Sequence, residues 1–132
     1  MKTIRQIIKL KYEHDLIEED STREKQVEWY KWALENSHCV VVKTFFGRVK
    51  GFLDWVRLNE FPKSVRDYKL DHSVIDTAPI AFVGNVYAES GRVLRKLKNM
   101  AMKFQSDAKY LAWHNKRKGK IRIYKLRRSY AV

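Results

Sequence analysis

The segment Ala88-Glu89-Ser90-Gly91 joins an apolar, strand-like run to a helix that opens on Arg92, and such a turn can do chemistry. The first amides of a helix have no partner within it, and the helix dipole adds positive potential where they point. A phosphate or pyrophosphate could dock there, flanked by Arg92, Arg95 and Lys96. The alternative is an ordinary helix cap, with Ser90 or Glu89 as the capping group. Other signatures are missing: the sequence has no Gly-x-Ser-x-Gly elbow, no His-Glu-x-x-His and no Walker loop. The histidines His14, His38, His72 and His114 stand at unrelated spacings, which argues against a zinc or iron site. Cys39 leads an apolar run and reads as a small buried hydrophobe.

Charge points to the same end of the chain. The formal net charge is +13. Residues 1–90 carry 14 basic and 14 acidic side chains, whereas residues 91–132 carry 14 basic side chains and one acid, Asp107. A field of one sign on that scale favours a polyanionic partner: nucleic acid, a phosphorylated cofactor, or an acidic protein or lipid surface.

The 132 residues suffice for one domain. With 45% apolar and 13% aromatic residues, burial can offset the ordering entropy, so disorder of the whole chain is excluded. A single cysteine excludes an internal disulfide framework and a multi-cysteine zinc site. No stretch approaches the ~18 apolar residues of a spanning helix, and the amino end does not read as a signal peptide, so a reducing, cytoplasmic setting is expected.

The elements that must position the turn follow from periodicity. A first helix is expected over 3–17, with Ile4, Ile7, Ile8, Tyr12 and Leu16 on one face. An Asp or Ser cap in the stretch 18–22 should start a second helix over 22–36, with Val27, Tyr30, Ala33 and Leu34 facing inward and Trp29 and Trp32 taken up in core packing. Residues 38–56 read as a hairpin turning at Phe46-Gly47-Arg48. Residues 57–77 are polar and irregular, with room for a short helix after Pro62. Residues 79–87 read as a central strand, with Gly84 marking a bulge or a close backbone approach. The clearest helix spans 92–105: Val93, Leu94, Leu97, Met100, Ala101 and Phe104 share an arc of about 120°, and Arg92, Arg95, Lys96, Asn99 and Lys103 lie opposite. Two strands, 109–114 and 120–126, close the chain around the basic loop Asn115 to Gly119. The expected architecture is α+β, a mixed sheet flanked by helices in the order α-α-β-β-β-α-β-β, as a single domain over 1–132 that ends in a basic hairpin and tail over 116–132.

That order resembles the GNAT-type N-acyltransferases over about residues 22–115. In that resemblance the family's hairpin falls on Val40-Val41-Val42 through Gly47-Arg48-Val49-Lys50-Gly51-Phe52-Leu53, and its next strand on Ile80 through Tyr87, where a bulge splays two strands and admits acyl-CoA. Its pyrophosphate loop falls on Ala88 through Arg92 and its third helix on Val93-Leu94-Arg95-Lys96-Leu97. With Gly91 at the last signature position, Glu89 stands where the family has its first Gly and Val86 where it has Arg or Gln. Asn115 matches an Asn that many members carry after the strand that follows.

The resemblance implies acyl transfer, most simply of acetyl, from acyl-CoA to an amine. It implies cofactor contacts at Val86, Tyr87, Ser90, Gly91, Arg92, Arg95, Lys96 and Asn115, with Arg95 or Lys96 near the 3′-phosphate. The amine must lose a proton, so Asp54, His72 or Glu89 would serve as base, and Tyr124 could protonate the departing thiolate. The alternative is a catalytically inactive domain of the same fold that binds nucleic acid or an acidic protein through residues 92–128, with Tyr110, Tyr124 and Tyr130 interleaved for stacking. Within a virion or other large assembly, the same patch would line packaged nucleic acid.

Overall fold

The computed structural model describes residues 1–16, 21–64, 68, 78–115 and 118–126. The elements run α1 (Lys2–Glu13), α2 (Arg23–Glu35), β1 (Cys39–Lys43), β2 (Val49–Leu58), β3 (Ile80–Ala88), α3 (Gly91–Phe104), β4 (Tyr110–Asn115) and β5 (Lys120–Lys125). The five strands form one mixed sheet in the order β1-β2-β3-β4-β5. β1 and β2 are antiparallel, β3 and β4 parallel, and β4 and β5 antiparallel. This is the expected α+β class and element order. The short helix considered after Pro62 falls mostly outside the described residues. No helix among the described residues is long and apolar enough to cross a membrane.

The chain forms two compact units, one made of Met1–Asp54 with Asn85–Ala101 and the other of Trp55–Gly84 with Met102–Val132. In the first unit, α1 and α2 cover one face of the β1–β2 hairpin. Its core gathers Ile4, Ile7, Ile8, Tyr30, Ala33, Cys39 and Phe52, with Trp29 and Trp32 packed against them as expected. The buried stripe of α1 is Ile4, Ile7, Ile8 and Lys11, a helical period. Tyr12, expected inward, is 54% exposed. The inward position falls to Lys11, because Gln26 accepts a hydrogen bond from its ammonium and the Tyr30 ring lies 5.1 Å beneath it. Helix α2 is capped by Thr22, not by an Asp or Ser: its hydroxyl accepts from the Lys25 amide at 3.2 Å.

On the opposite face of β2, Gly51 lets α3 settle directly onto the strand. A Cβ at Gly51 would stand 2.7 Å from the Tyr87 carbonyl oxygen and 2.7 Å from a Val93 methyl. Helix α3 buries Val93, Leu97 and Ala101 and exposes Arg92, Arg95, Lys96 and Lys103. Phe104, expected on the buried arc, is 52% exposed because it ends the helix beyond the last covered turn.

In the second unit, β3 pairs with β4 from Ile80 opposite Tyr110 to Val83 opposite Trp113, and β5 completes an antiparallel pair with β4. Gly84 meets the expected close approach: the Tyr68 ring lies where a Cβ would go. Arg57, placed in an irregular segment by its sequence context, lies inside β2 and is 4% exposed.

Candidate functional site

The turn from β3 into α3 belongs to the first unit, together with most of the residues the sequence nominates. Ser90 caps the helix: its hydroxyl accepts from the Val93 amide at 3.3 Å, and its carbonyl accepts from Leu94 at 3.1 Å. Glu89 faces elsewhere. Its amide donates to the Lys50 carbonyl at 3.1 Å, and its carboxylate meets Arg48 at 2.9 Å and Lys50 at 3.8 Å. The carboxylate that could have occupied the helix start is therefore held by two cations, Arg48 just before β2 and Lys50 within it. The amides of Gly91 and Arg92 are among those an α-helix leaves without an internal partner. Beyond its chain neighbours and the backbone of α3 itself, no heavy atom would lie within 4 Å of a Cβ at Gly91. Gly91 also lacks the positive φ that would call for glycine. Neither backbone conformation nor packing within the chain accounts for glycine at this position, where alanine would favour the helix by up to about 1 kcal/mol.

Around this start, Arg92, Arg95 and Lys96 are exposed on α3. Val86 is 41% exposed, and Tyr87 is half-buried with its ring stacked on His14 at 4.5 Å.

No family model, no curated protein and no solved structure matches the chain.

Asp54 is fully buried on β2 and anchors a polar cluster. Its Oδ2 accepts from the Tyr30 hydroxyl at 2.7 Å, and its Oδ1 accepts from the Asn85 amide at 3.2 Å and from Asn85 Nδ2 at 3.1 Å. These bonds fasten α2, β2 and β3 to one another, and they occupy lone pairs that a general base would need free. Burial, then the Asp54 charge, then the hydrogen bond to Asp54 push the Tyr30 hydroxyl well above its ordinary 10.0. Burial and the same carboxylate raise the Cys39 thiol well above 9.0, against smaller opposing effects of a Leu53 backbone hydrogen bond and of Lys11. A protonated, buried thiol is a poor nucleophile, in keeping with Cys39 as a core residue.

Both groups bind their proton more tightly folded than unfolded, so their stabilisation is complete below the unfolded values and is lost as pH rises through the folded ones. Stability should fall above about pH 9 by about 1.4 kcal/mol per pH unit through Cys39, with Tyr30 doubling the slope above about pH 10. Urea titrations from pH 8 to 11 check this; Cys39→Ala should remove the first decline and Tyr30→Phe the second.

The remaining nominated residues belong to the second unit or fall outside the described residues. Asn115 ends β4 in the second unit, where its backbone carbonyl accepts from the Lys118 amide at 3.2 Å. Tyr124 on β5 is 51% exposed and stacks on Trp113 at 4.5 Å with the rings 3° from parallel. Tyr110 packs edge-on against Phe61. His72 and Tyr130 lie outside the described residues. Among the described residues, no cluster of three His, Cys, Asp or Glu side chains could hold a metal ion. Sequence reasoning missed the Tyr30–Asp54–Asn85 cluster. The available signal was an aspartate in the middle of the apolar run Phe52-Leu53-Asp54-Trp55-Val56.

Proposed function

We propose that the chain is a divergent GNAT-type N-acyltransferase that moves an acyl group, most simply acetyl, from acyl-CoA to an amine. The observation that carries this is the start of α3: two cap-free amides beside a glycine with open space at its Cα, ringed by exposed cations. An outside group that must approach the backbone closely explains why that glycine is there. The topology adds support, since β3 and β4 are parallel with α3 between them in sequence. Pyrophosphate oxygens would accept from the Gly91 and Arg92 amides, with Arg95 or Lys96 at the 3′-phosphate. The amine nitrogen attacks the thioester carbonyl carbon, the C–S bond breaks, and the proton lost by nitrogen ends on the CoA sulfur. Of the two nominated carboxylates that are described, Asp54 is a buried fastener and Glu89 adjoins the turn with both oxygens ion-paired to Arg48 and Lys50, so neither stands free as a base.

Isothermal titration with acetyl-CoA tests this. Binding should be lost at least tenfold in Gly91→Val, whose side chain would cover the amides; its Cβ meets no other part of the chain, so its melting temperature should hold. Arg92→Glu with Lys96→Glu should weaken binding by a similar factor. Absence of heat with the wild-type chain at millimolar acetyl-CoA would overturn the assignment.

One observation favours a second function, nucleic-acid binding. Trp113 and Tyr124 stack on the sheet face that also carries Lys120 and Arg122, as the β4–β5 register requires. Aromatic faces beside cations suit single-stranded nucleic acid. With about six phosphates engaged, affinity should fall with salt at a log–log slope of about −4 to −5, and a flat response rejects it.

A further inference from the structure

The tip of the β1–β2 hairpin exposes Phe45 and Phe46 at 97% and 89%, more than any other large apolar side chain among the described residues. Their rings meet edge to face, with centroids 5.4 Å apart. The tip is firmly built. The Thr44 amide donates to the Arg48 carbonyl at 2.8 Å, the Gly47 amide to the Thr44 carbonyl at 3.0 Å, and the Arg48 amide to the Thr44 hydroxyl at 3.0 Å. Gly47 takes φ +90°, a conformation that favours glycine. Gln6 of α1 then brackets the turn: its Nε2 donates to the Gly47 carbonyl at 3.1 Å, and its Oε1 accepts from the Val49 amide at 2.8 Å. Two phenyl rings are thus presented to water on a backbone that hydrogen bonds hold still.

Cations collect around them. Residues 1–12 and 43–50 contain no acidic residue and, besides the buried Lys11, the cations Lys2, Arg5, Lys9, Lys43, Arg48 and Lys50. Lys43 and Arg48 bracket the rings along the chain and are exposed. Lys2 and Lys9 stand four and three residues from Gln6, so they share the side of α1 that meets the turn. Glu89 on Arg48 and Glu13 on Lys9 offset part of this charge.

We propose that the hairpin tip is a membrane-docking element, which seats Phe45 and Phe46 among the headgroups and upper acyl chains of an anionic lipid surface while the surrounding cations meet lipid phosphates. A stable protein interface needs roughly 800 Å² from each partner, and a convex tip of two rings standing clear of their surroundings offers no broad apolar face to extend it. Interfacial insertion needs less: apolar side chains reaching about 5–10 Å into the boundary and basic residues beside them. It goes beyond acyl transfer and uses neither Gly91 nor the α3 cations.

Vesicle flotation and a tip-borne fluorophore test the proposal with the full chain. In Phe46→Cys, an NBD maleimide should label the tip selectively, because Cys39 is buried. Its emission should shift to the blue with vesicles of phosphatidylcholine and phosphatidylglycerol, and little with phosphatidylcholine alone. The double variant Phe45→Ser, Phe46→Ser should keep the wild-type melting temperature and bind anionic vesicles at least tenfold more weakly. Three results would overturn the proposal: floating protein whose tip fluorescence is unshifted, a double variant that binds as wild type does, or a wild-type dimer that the double variant abolishes, which would seat the tip in a second copy of the chain.

Discussion

Arg57→Ala is expected to destabilise the protein by about 3 kcal/mol, read as a drop in urea midpoint at unchanged slope. The Arg57 guanidinium sits inside the second unit, where Nε donates to the Ala78 carbonyl at 2.7 Å and Nη1 to the Gln105 side-chain oxygen at 2.8 Å. Nη1 and Nη2 also reach the two Asp107 oxygens at 3.1 and 3.3 Å. Gln105 is itself 5% exposed, so truncating Arg57 strands a buried amide and a carbonyl and leaves a cavity as well. The Asp107 pair adds less, because Asp107 is 59% exposed and solvent screens it. Asp107→Asn should therefore cost under about 1 kcal/mol, and Arg57→Lys should fall between, since an ammonium cannot reproduce the forked geometry. Equal losses in Asp107→Asn and Arg57→Ala would show that the ion pair, not the buried hydrogen bonds, holds this corner.

The second large effect is steric. Gly51→Ala adds one methyl group where the Tyr87 carbonyl and Val93 each stand at 2.7 Å and a Leu97 methyl at 3.0 Å. A side chain can turn away, but a strand carbonyl moves only with its strand. A loss of about 2–3 kcal/mol is expected. Val93→Ala in the same chain should restore only part of it, because the contact with the carbonyl remains. Since α3 must lift from β2 to admit the methyl, acetyl-CoA affinity should fall as well. Full recovery in the double variant would place the whole clash on Val93.

Local pattern carried much of this fold. The period of α3 foretold Val93, Leu97 and Ala101 as its buried stripe, and the run from Val40 to Val56 foretold a hairpin turning near Gly47. Residue type misled where period did not. Lys11 lies on the Ile4–Ile7–Ile8 stripe of α1, yet a lysine reads as outward until Gln26 and Tyr30 come alongside, and both belong to another helix. The candidate site divides the same way. The turn, its glycine and its cations were plain in the sequence, but Ser90 and Glu89 could each have capped the helix. Arg48 and Lys50 decided between them by holding Glu89, and they lie some forty residues earlier in the chain. Asp54 reads as a base from its chemistry alone, and its hydrogen bonds to Tyr30 and Asn85 come from segments its neighbours do not reveal. Arg57 stood at the edge of a polar stretch, where nothing adjacent announced Gln105.

A stacked pair that includes tryptophan gives each compact unit its own optical signature. Trp29 and Trp32 stack at 5.7 Å in the first unit, and Trp113 and Tyr124 at 4.5 Å in the second. Rings fixed this way contribute near-ultraviolet dichroism that vanishes when packing loosens. Spectra of Trp32→Phe and Tyr124→Leu would assign each band to its half of the chain. A single thermal scan would then reveal whether the halves melt in concert or one after the other.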